Sequence, residues 1–338
     1  MLVGWLASTL RGMRFRQLRS TGLKISNLCL GTMQFGWTAD ERSSFAVMDS
    51  FDEAGGNFLD TADVYSRWAP GNPGGVSEEI IGRWLTKRGN RDRLIIATKV
   101  RGRMWEGPDG EGLGRAHIEC AVEDSLRRLQ IEAIDLYQCH SPDEKTPIEE
   151  TLRAFEELIS SGKVRHIGAS NFTAVQLAEA LRVAGDKSLP RFATLQPHHN
   201  LVHRHEYEAE LAHLCERERI GVIPYSPLAA GFLTGKYRPG RPPPKSARAG
   251  RARQYMNAPG FAVLEALDAV AEAHNTTQAA VALAWGMTRP AVTGAHHRRE
   301  FARAARRPAS GGGADAFRRR GHQPRPRQRL VLIEGTRC

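Results

Sequence analysis

The sequence predicts an α/β fold, a (β/α)8 TIM barrel of eight parallel strands alternating with helices. Three observations carry that prediction. From Met13 to about Ala291, short apolar runs alternate with amphipathic stretches, the pattern of a parallel sheet covered by helices. Most of the apolar runs close on polar residues, namely Asp60, Lys99, His140, Ser170–Asn171, Gln196 and Tyr225–Ser226. A barrel collects its chemistry at the C-terminal ends of its strands. The competing doubly wound sheet would carry a glycine fingerprint after its first strand, and neither G-x-G-x-x-G nor a P-loop occurs.

In chain order, seven strands are expected at ISNLCLGTM (25–33), NFLDTAD (57–63), LIIATKV (94–100), AIDLYQCH (133–140), VRHIGASN (164–171), FATLQPHHN (192–200) and GVIPYSPLA (221–229). Each has an apolar centre and is short enough to cross a barrel once. Helices are expected at SFAVMDSFDEAG, SEEIIGRWLTKRG, HIECAVEDSLRRLQ and TPIEETLRAFEELISSGK. The last offers a capping box, with Thr146 as N-cap, Pro147 at the first helical position, Glu149 three residues after the cap and Gly162 near its end. An eighth strand should follow the helical stretch TQAAVALAWGMTRP, where the chain reads VTGAHHRREFARAARR. The segment RPGRPPPKSARAGRARQY (238–255) reads as a mobile loop.

Composition narrows the function classes. The five cysteines, Cys29, Cys120, Cys139, Cys215 and Cys338, are scattered and form no C-x-x-C. That argues against a disulfide framework and a structural zinc site, and fits a cytoplasmic protein. No apolar run is long enough to cross a bilayer, and the apolar start lacks the basic region of a signal peptide. A net charge of +11 invites a nucleic-acid reading, but its distribution undoes it. From Val292 onward there are 12 arginines, no lysine and 3 acidic residues, whereas residues 1–291 carry 36 basic and 34 acidic side chains. The chain therefore divides into an extension at 1–12, a nearly neutral barrel at 13–291 and an arginine-rich tail at 292–338.

The chemistry gathers at three neighbouring strand ends. A strand-end Asp60 commonly caps a turn, a loop Tyr65 commonly packs, and a lone His140 is commonly a satisfied hydrogen-bonding residue. Lys99 is less ordinary, because a lysine closing a buried strand needs a carboxylate. With Asp60 holding Lys99 beside the Tyr65 hydroxyl, the phenol becomes a readier proton donor to a developing alkoxide. An imidazole beside it would orient the carbonyl oxygen. This is a site for carbonyl reduction that needs a hydride donor. His198–His199 lacks carboxylate or thiolate partners at ligand spacing, so no metal is expected.

These residues lie in motifs, RQLRSTGLKISNLCLGTMQFG, LDTADVY, ATK, DLYQCH, IGASNF, LQPHHNLVHR and IPYSPLAAGFLTGKY, in which the chain resembles the aldo-keto reductases over nearly all of Met13 to Ala291. The resemblance implies a barrel that binds NADPH without a Rossmann domain. It implies a catalytic tetrad of Asp60, Tyr65, Lys99 and His140, and a carboxamide-binding group of Ser170, Asn171 and Gln196. Tyr225 would stack on the nicotinamide, and Ser226, Leu228, Gly231, Leu233 and Lys236 would fold over the pyrophosphate. The small residues there admit phosphates and Lys236 supplies charge. Trp37 and Trp68 either line a substrate pocket at the barrel mouth or pack within loops. The expected partner is a small carbonyl compound, with no nucleic acid and no membrane. The alternatives are a cofactor-binding regulatory subunit resembling potassium-channel β subunits, or a reductase impaired by its altered C-terminus.

That C-terminus departs from the resemblance. Related chains place a segment like P-I-I-G-A after the eighth strand, where this one has GAHHRREF. Codons for Gly-Ala-His-His-Arg-Arg-Glu-Phe, read one base out of frame, can spell APIIGANS, so the tail reads as a frame-shifted continuation from about Thr293. The eighth βα unit is therefore expected to be atypical or disrupted. An intact mass of the native protein tests this, and an unbroken frame carrying the tail would refute it.

Overall fold

The computed structural model describes residues 13–297. The extension at 1–12 and the tail from 298, with any helix of the eighth unit, lie outside the described residues. The chain opens with an antiparallel hairpin, β1 (Phe15–Gln17) and β2 (Lys24–Ser26). Eight parallel strands follow, β3 (Leu28–Gly31), β4 (Phe58–Asp60), β5 (Ile95–Val100), β6 (Ile134–Cys139), β7 (Val164–Ser170), β8 (Thr194–Gln196), β9 (Gly221–Val222) and β10 (Ala295–His297). They form one sheet in the order β10-β3-β4-β5-β6-β7-β8-β9.

The sheet curls into an α/β barrel, and its seam is bridged by backbone. Val222 and Val292 form a parallel bridge. Thr293 N donates to Val222 O (2.8 Å), and Val222 N donates to Ala291 O (3.0 Å). On its other side β10 runs parallel to β3, with Ala295 opposite Leu28 and His296 opposite Cys29. The eighth strand thus forms where the sequence placed it, with the divergent residues in it.

Between the strands run α1 (Glu41–Glu53), α2 (Val76–Arg88), α3 (Arg115–Leu129), α4 (Ile148–Ser160), α5 (Ala174–Asp186), α6 (Ala212–Arg217), α7 (Ala249–Ala252), α8 (Ala258–Ala273) and α9 (Gln278–Met287). The outer core lies between strands and helices, from Leu59, Ile96, Val100, Tyr137 and Cys139 to Trp84, Ile118, Leu126 and Phe155. Strand alternation sends the intervening residues inward. Phe58, Ile95, Ala97, Leu136 and Ile223 fill the barrel's lower interior together with Leu18 and Ile25 of the hairpin, which plugs that end. One step further along the same strands the inward residues turn polar, as Asp60, Lys99, Gln138 and Gln196, all buried.

Three expectations are corrected. The run 25–33 is two strands, because the Asn27 N–H bonds the Arg14 carbonyl (2.7 Å) and divides hairpin from barrel. The capping box at Thr146 does not form. Pro147 stands at the N-cap position with no side-chain cap, and Thr146 Oγ1 donates to Asp143 Oδ2 instead (2.8 Å). The segment 238–255 is a loop only over 239–248 and is anchored at both ends. It holds α7, buries Ala252 and Tyr255 against Phe232 and Tyr237, and pairs Arg238 with Asp268 through two hydrogen bonds (2.6 and 2.9 Å).

Candidate active site

Lys99 ends the inward series Ile95, Ala97, Lys99 on β5, and its side chain is fully buried. An ammonium has three protons to place, and no solvent reaches it. They go to Asp60 Oδ2 (2.6 Å), the Thr61 carbonyl (2.7 Å) and the Tyr65 hydroxyl (3.1 Å). Asp60, equally buried on β4, accepts on its other oxygen from Gln138 Nε2 (3.2 Å) and Gln196 Nε2 (3.0 Å). Burial alone would neutralise both partners. For Lys99 the Asp60 carboxylate and Tyr65 outweigh burial and push the ammonium above the ordinary lysine range. For Asp60 the charges of Lys99 and His296, with the hydrogen bonds, outweigh burial and hold the carboxyl below its ordinary range.

Tyr65 follows β4 on a turn, its N–H bonded to the Ala62 carbonyl (3.2 Å). The next residue, Ser66, has a left-handed φ of 72° and ties to the Phe35 carbonyl. Only 8% of Tyr65 is exposed. Its oxygen accepts from Lys99, so its own proton points elsewhere. His140 comes one residue beyond β6 and presents its ring to Tyr65 with centroids 5.7 Å apart. Burial, and then the Lys99 charge, hold its pKa down to about 3, so the imidazole is neutral at physiological pH. The four residues thus meet at the ends of β4, β5 and β6. They form a buried phenol with an ammonium behind it and a neutral imidazole alongside, an arrangement that can donate a proton.

Around this centre the other expected residues converge. Ser170 Oγ donates to the Gln196 carbonyl (2.9 Å). Asn171, at a left-handed φ of 61°, donates through Nδ2 to the His140 carbonyl (2.9 Å) and accepts at Oδ1 from the Tyr225 hydroxyl (2.9 Å). Tyr225 lays one ring face on His198 (centroids 5.1 Å, 10° between planes), and burial pushes its phenol up to about 12. Trp37 and Trp68 pack edge to face at 5.7 Å, and Trp68 stands 6.3 Å from Tyr65 with 47% of its surface exposed. His199 pairs with Glu208 (3.1 Å).

After β9 the backbone takes left-handed conformations at Ser226 (55°), Ala229 (48°), Ala230 (56°) and Gly231 (92°). For residues other than glycine each is unfavourable and persists only where the surroundings enforce it. Gly231 lies under Lys236, where a Cβ would come within 3.1 Å of the lysine Nζ. Leu233 is buried, Leu228 is partly buried and packs against the same cluster, and Lys236 is exposed.

Two site residues escaped the sequence reading. Gln138 stands two residues before His140 on the inward face of β6, a signal that strand alternation carried. His296 is 3% exposed, with Nε2 3.2 Å from Gln196 Nε2 and 3.7 Å from Asp60 Oδ2. No local signal separated it from the basic residues that follow.

The chain matches the family model described as "Aldo/keto reductase family" over residues 27–295. Among curated proteins it is 36% identical to "Uncharacterized oxidoreductase YrpG" of Bacillus subtilis (strain 168) over 286 residues, 83% of this chain and 85% of that one. It is 34% identical to "Probable voltage-gated potassium channel subunit beta" of Arabidopsis thaliana over 292 residues, again 83% and 85%. It is 33% identical to "Protein tas" of Escherichia coli (strain K12) over 303 residues, 83% and 87%.

Proposed function

The chain belongs to the aldo/keto reductase family, and on that premise we propose that it reduces aldehydes or ketones to alcohols with NADPH, the proton coming from Tyr65. The observation that carries this reading is the Lys99 ammonium, which bridges Asp60 Oδ2 (2.6 Å) and the Tyr65 hydroxyl (3.1 Å) inside the barrel. The residues fit a nicotinamide dinucleotide. Tyr225 has one ring face on His198 and the other for the nicotinamide ring. Asn171 and Gln196 bring amide groups, and Ser170 a hydroxyl, to the same strand ends. Gly231, where a side chain would crowd Lys236, leaves backbone room for phosphates beside a cation, framed by Ser226, Leu228 and Leu233.

When bound, the nicotinamide supplies a hydride to the carbonyl carbon. Tyr65 moves its hydroxyl proton to the carbonyl oxygen. Lys99 then holds the phenolate that remains, and Asp60 keeps Lys99 charged and in place. His140, neutral and beside Tyr65, hydrogen-bonds the same oxygen and fixes the direction of proton transfer. Trp37 and Trp68 wall the approach to Tyr65 and favour a carbonyl group attached to an aromatic or apolar skeleton.

The test is incubation with NADPH deuterated at the reactive position and 4-nitrobenzaldehyde. The expected product is 4-nitrobenzyl alcohol with one deuterium on the benzylic carbon, and unlabelled or absent alcohol refutes the reading. The plant relative named as a channel subunit motivates a second reading, a cofactor-bound partner protein, which predicts NADPH binding with no deuterium transfer.

A further inference from the structure

Beside the active centre, between the loops that follow β5 and β6, lies a polar cleft of about 260 Å³. Arg101, two residues beyond Lys99, enters it with a left-handed φ of 136°, a conformation unfavourable for any residue with a side chain. Its Nε is buried with no hydrogen-bond partner, and its guanidinium forms no ion pair among the described residues. Lys145, on the facing loop, likewise forms none. His117, 1% exposed, lines the cleft. Its Nδ1 lies 2.8 Å from the Asp109 carbonyl, which can only accept, so the buried Nε2 carries a lone pair and has no donor.

The acidic residues lining the cleft, Asp109, Glu111, Asp143 and Glu150, form no direct ion pair with Arg101 or Lys145 among the described residues, although the charge of Arg101 acts on Glu111 and Asp143 and that of Lys145 on Glu111. Glu111 is taken by Arg103 (2.8 Å). Asp143 accepts from Leu113 N (2.8 Å), Lys145 N (3.1 Å) and Thr146 Oγ1 (2.8 Å). Glu150 accepts from Arg115 N (3.1 Å). A planar guanidinium whose donors are unspent suits a carboxylate, which it can meet with two parallel hydrogen bonds. The cleft is tied to the chemistry by the chain, because Arg101 follows Lys99 by two residues and Gly102 lies against Val64, the neighbour of Tyr65.

We propose that this cleft is a specificity subsite that takes the carboxylate of the substrate, with Arg101 as its main ligand, Lys145 adding positive charge and His117 Nε2 accepting from a hydroxyl of the same molecule. The preferred substrates are therefore carbonyl compounds bearing a carboxylate. This rests on the reductase reading above and names its substrate class.

The experiment compares KM for 4-carboxybenzaldehyde and for methyl 4-formylbenzoate, in which a methyl ester removes the charge that Arg101 would meet. In the wild type the acid should have the lower KM by about 10–100-fold, the range for losing a hydrogen bond to a charged group. In Arg101→Gln the ratio should fall toward one. Using the ratio cancels any change in rate common to both substrates. Lys145→Gln, at an exposed position, should lower the ratio by a smaller factor and keeps the test open if Arg101→Gln does not fold. Equal KM values in the wild type, or an undiminished ratio in both variants, overturn the subsite while leaving the reductase reading intact. If neither aldehyde is reduced, the reductase reading fails. Calorimetry with NADPH and 4-carboxybenzyl alcohol then decides the subsite separately, with binding weakened by Arg101→Gln expected and unchanged binding overturning it. Benzoate that binds through Arg101 without competing against 4-carboxybenzaldehyde would make this a detached anion site and would also overturn the proposal.

Discussion

Asp60 has no route to solvent, so its charge depends on its buried neighbours, Lys99 foremost. Lys99→Met would strand a buried carboxylate whose remaining partners are the amides of Gln138 and Gln196 and the His296 ring. Breaking such a pair from one side costs about 3–5 kcal/mol, which should appear as a lower urea midpoint along with lost turnover. An unchanged midpoint would mean that solvent reaches Asp60. Buried histidines add to the acid sensitivity of the fold. His140 and His198 have folded pKa values of about 3 and about 4, both lowered first by burial, against an ordinary value of 6.5. Below pH 6.5 the unfolded chain therefore binds protons that the folded chain refuses. Their contribution is complete above pH 6.5 and is lost as pH falls toward 4 and then 3. Melting temperature should drop between pH 7.5 and 4.5, and His140→Gln should flatten that drop. A parallel profile in the variant would contradict the assignment.

At the scale of elements, the close approach of α2 and α3 depends on Gly82. A Cβ at that position would overlap the Arg128 carbonyl oxygen and the Leu129 backbone, and neither can move without shifting α3. Gly82→Ala, ordinarily favourable in a helix, should here cost about 1–3 kcal/mol through overpacking, read as a lower urea midpoint with the slope unchanged. Neutral or raised stability would show that the helices part without strain. The elements also mark what could be read from sequence. Strands β4 to β7 were legible because buried parallel strands are continuous apolar runs ending in polar residues. The N-terminus of α4 was misread because Thr146 had two possible partners, and Asp143, three residues earlier, holds it. The anchoring of 238–255 was hidden because its partners, Phe232 and Asp268, lie outside the segment, and proline-rich composition says nothing about them.

At the scale of the whole molecule, the barrel is closed by a strand whose residues differ from those the resemblance led one to expect. Pairing tolerates this because backbone groups make the ladder. Ala295 is small enough to pack outward against Leu283 and Met287, while His296 points into a layer that is already polar. Its partners Asp60 and Gln196 lie 100 residues or more away in sequence, so nothing local marked it as a site residue, whereas the tetrad could be read from motifs. Truncation after Ala291 would remove the β10 ladder and leave edges on β3 and β9. The truncated chain should elute as aggregate rather than at the full-length position, and a soluble species with native near-ultraviolet circular dichroism would show that β10 does not hold the barrel. In the closed barrel, the polar upper layer holds Tyr65 for the proton transfer proposed above. The most direct measurement is NADPH oxidation at 340 nm with 4-nitrobenzaldehyde, wild type against Tyr65→Phe, with NADPH affinity followed by fluorescence. Turnover should fall by about 10²–10⁴-fold at unchanged NADPH affinity, and equal turnover in the two proteins would rule out Tyr65 as the proton donor.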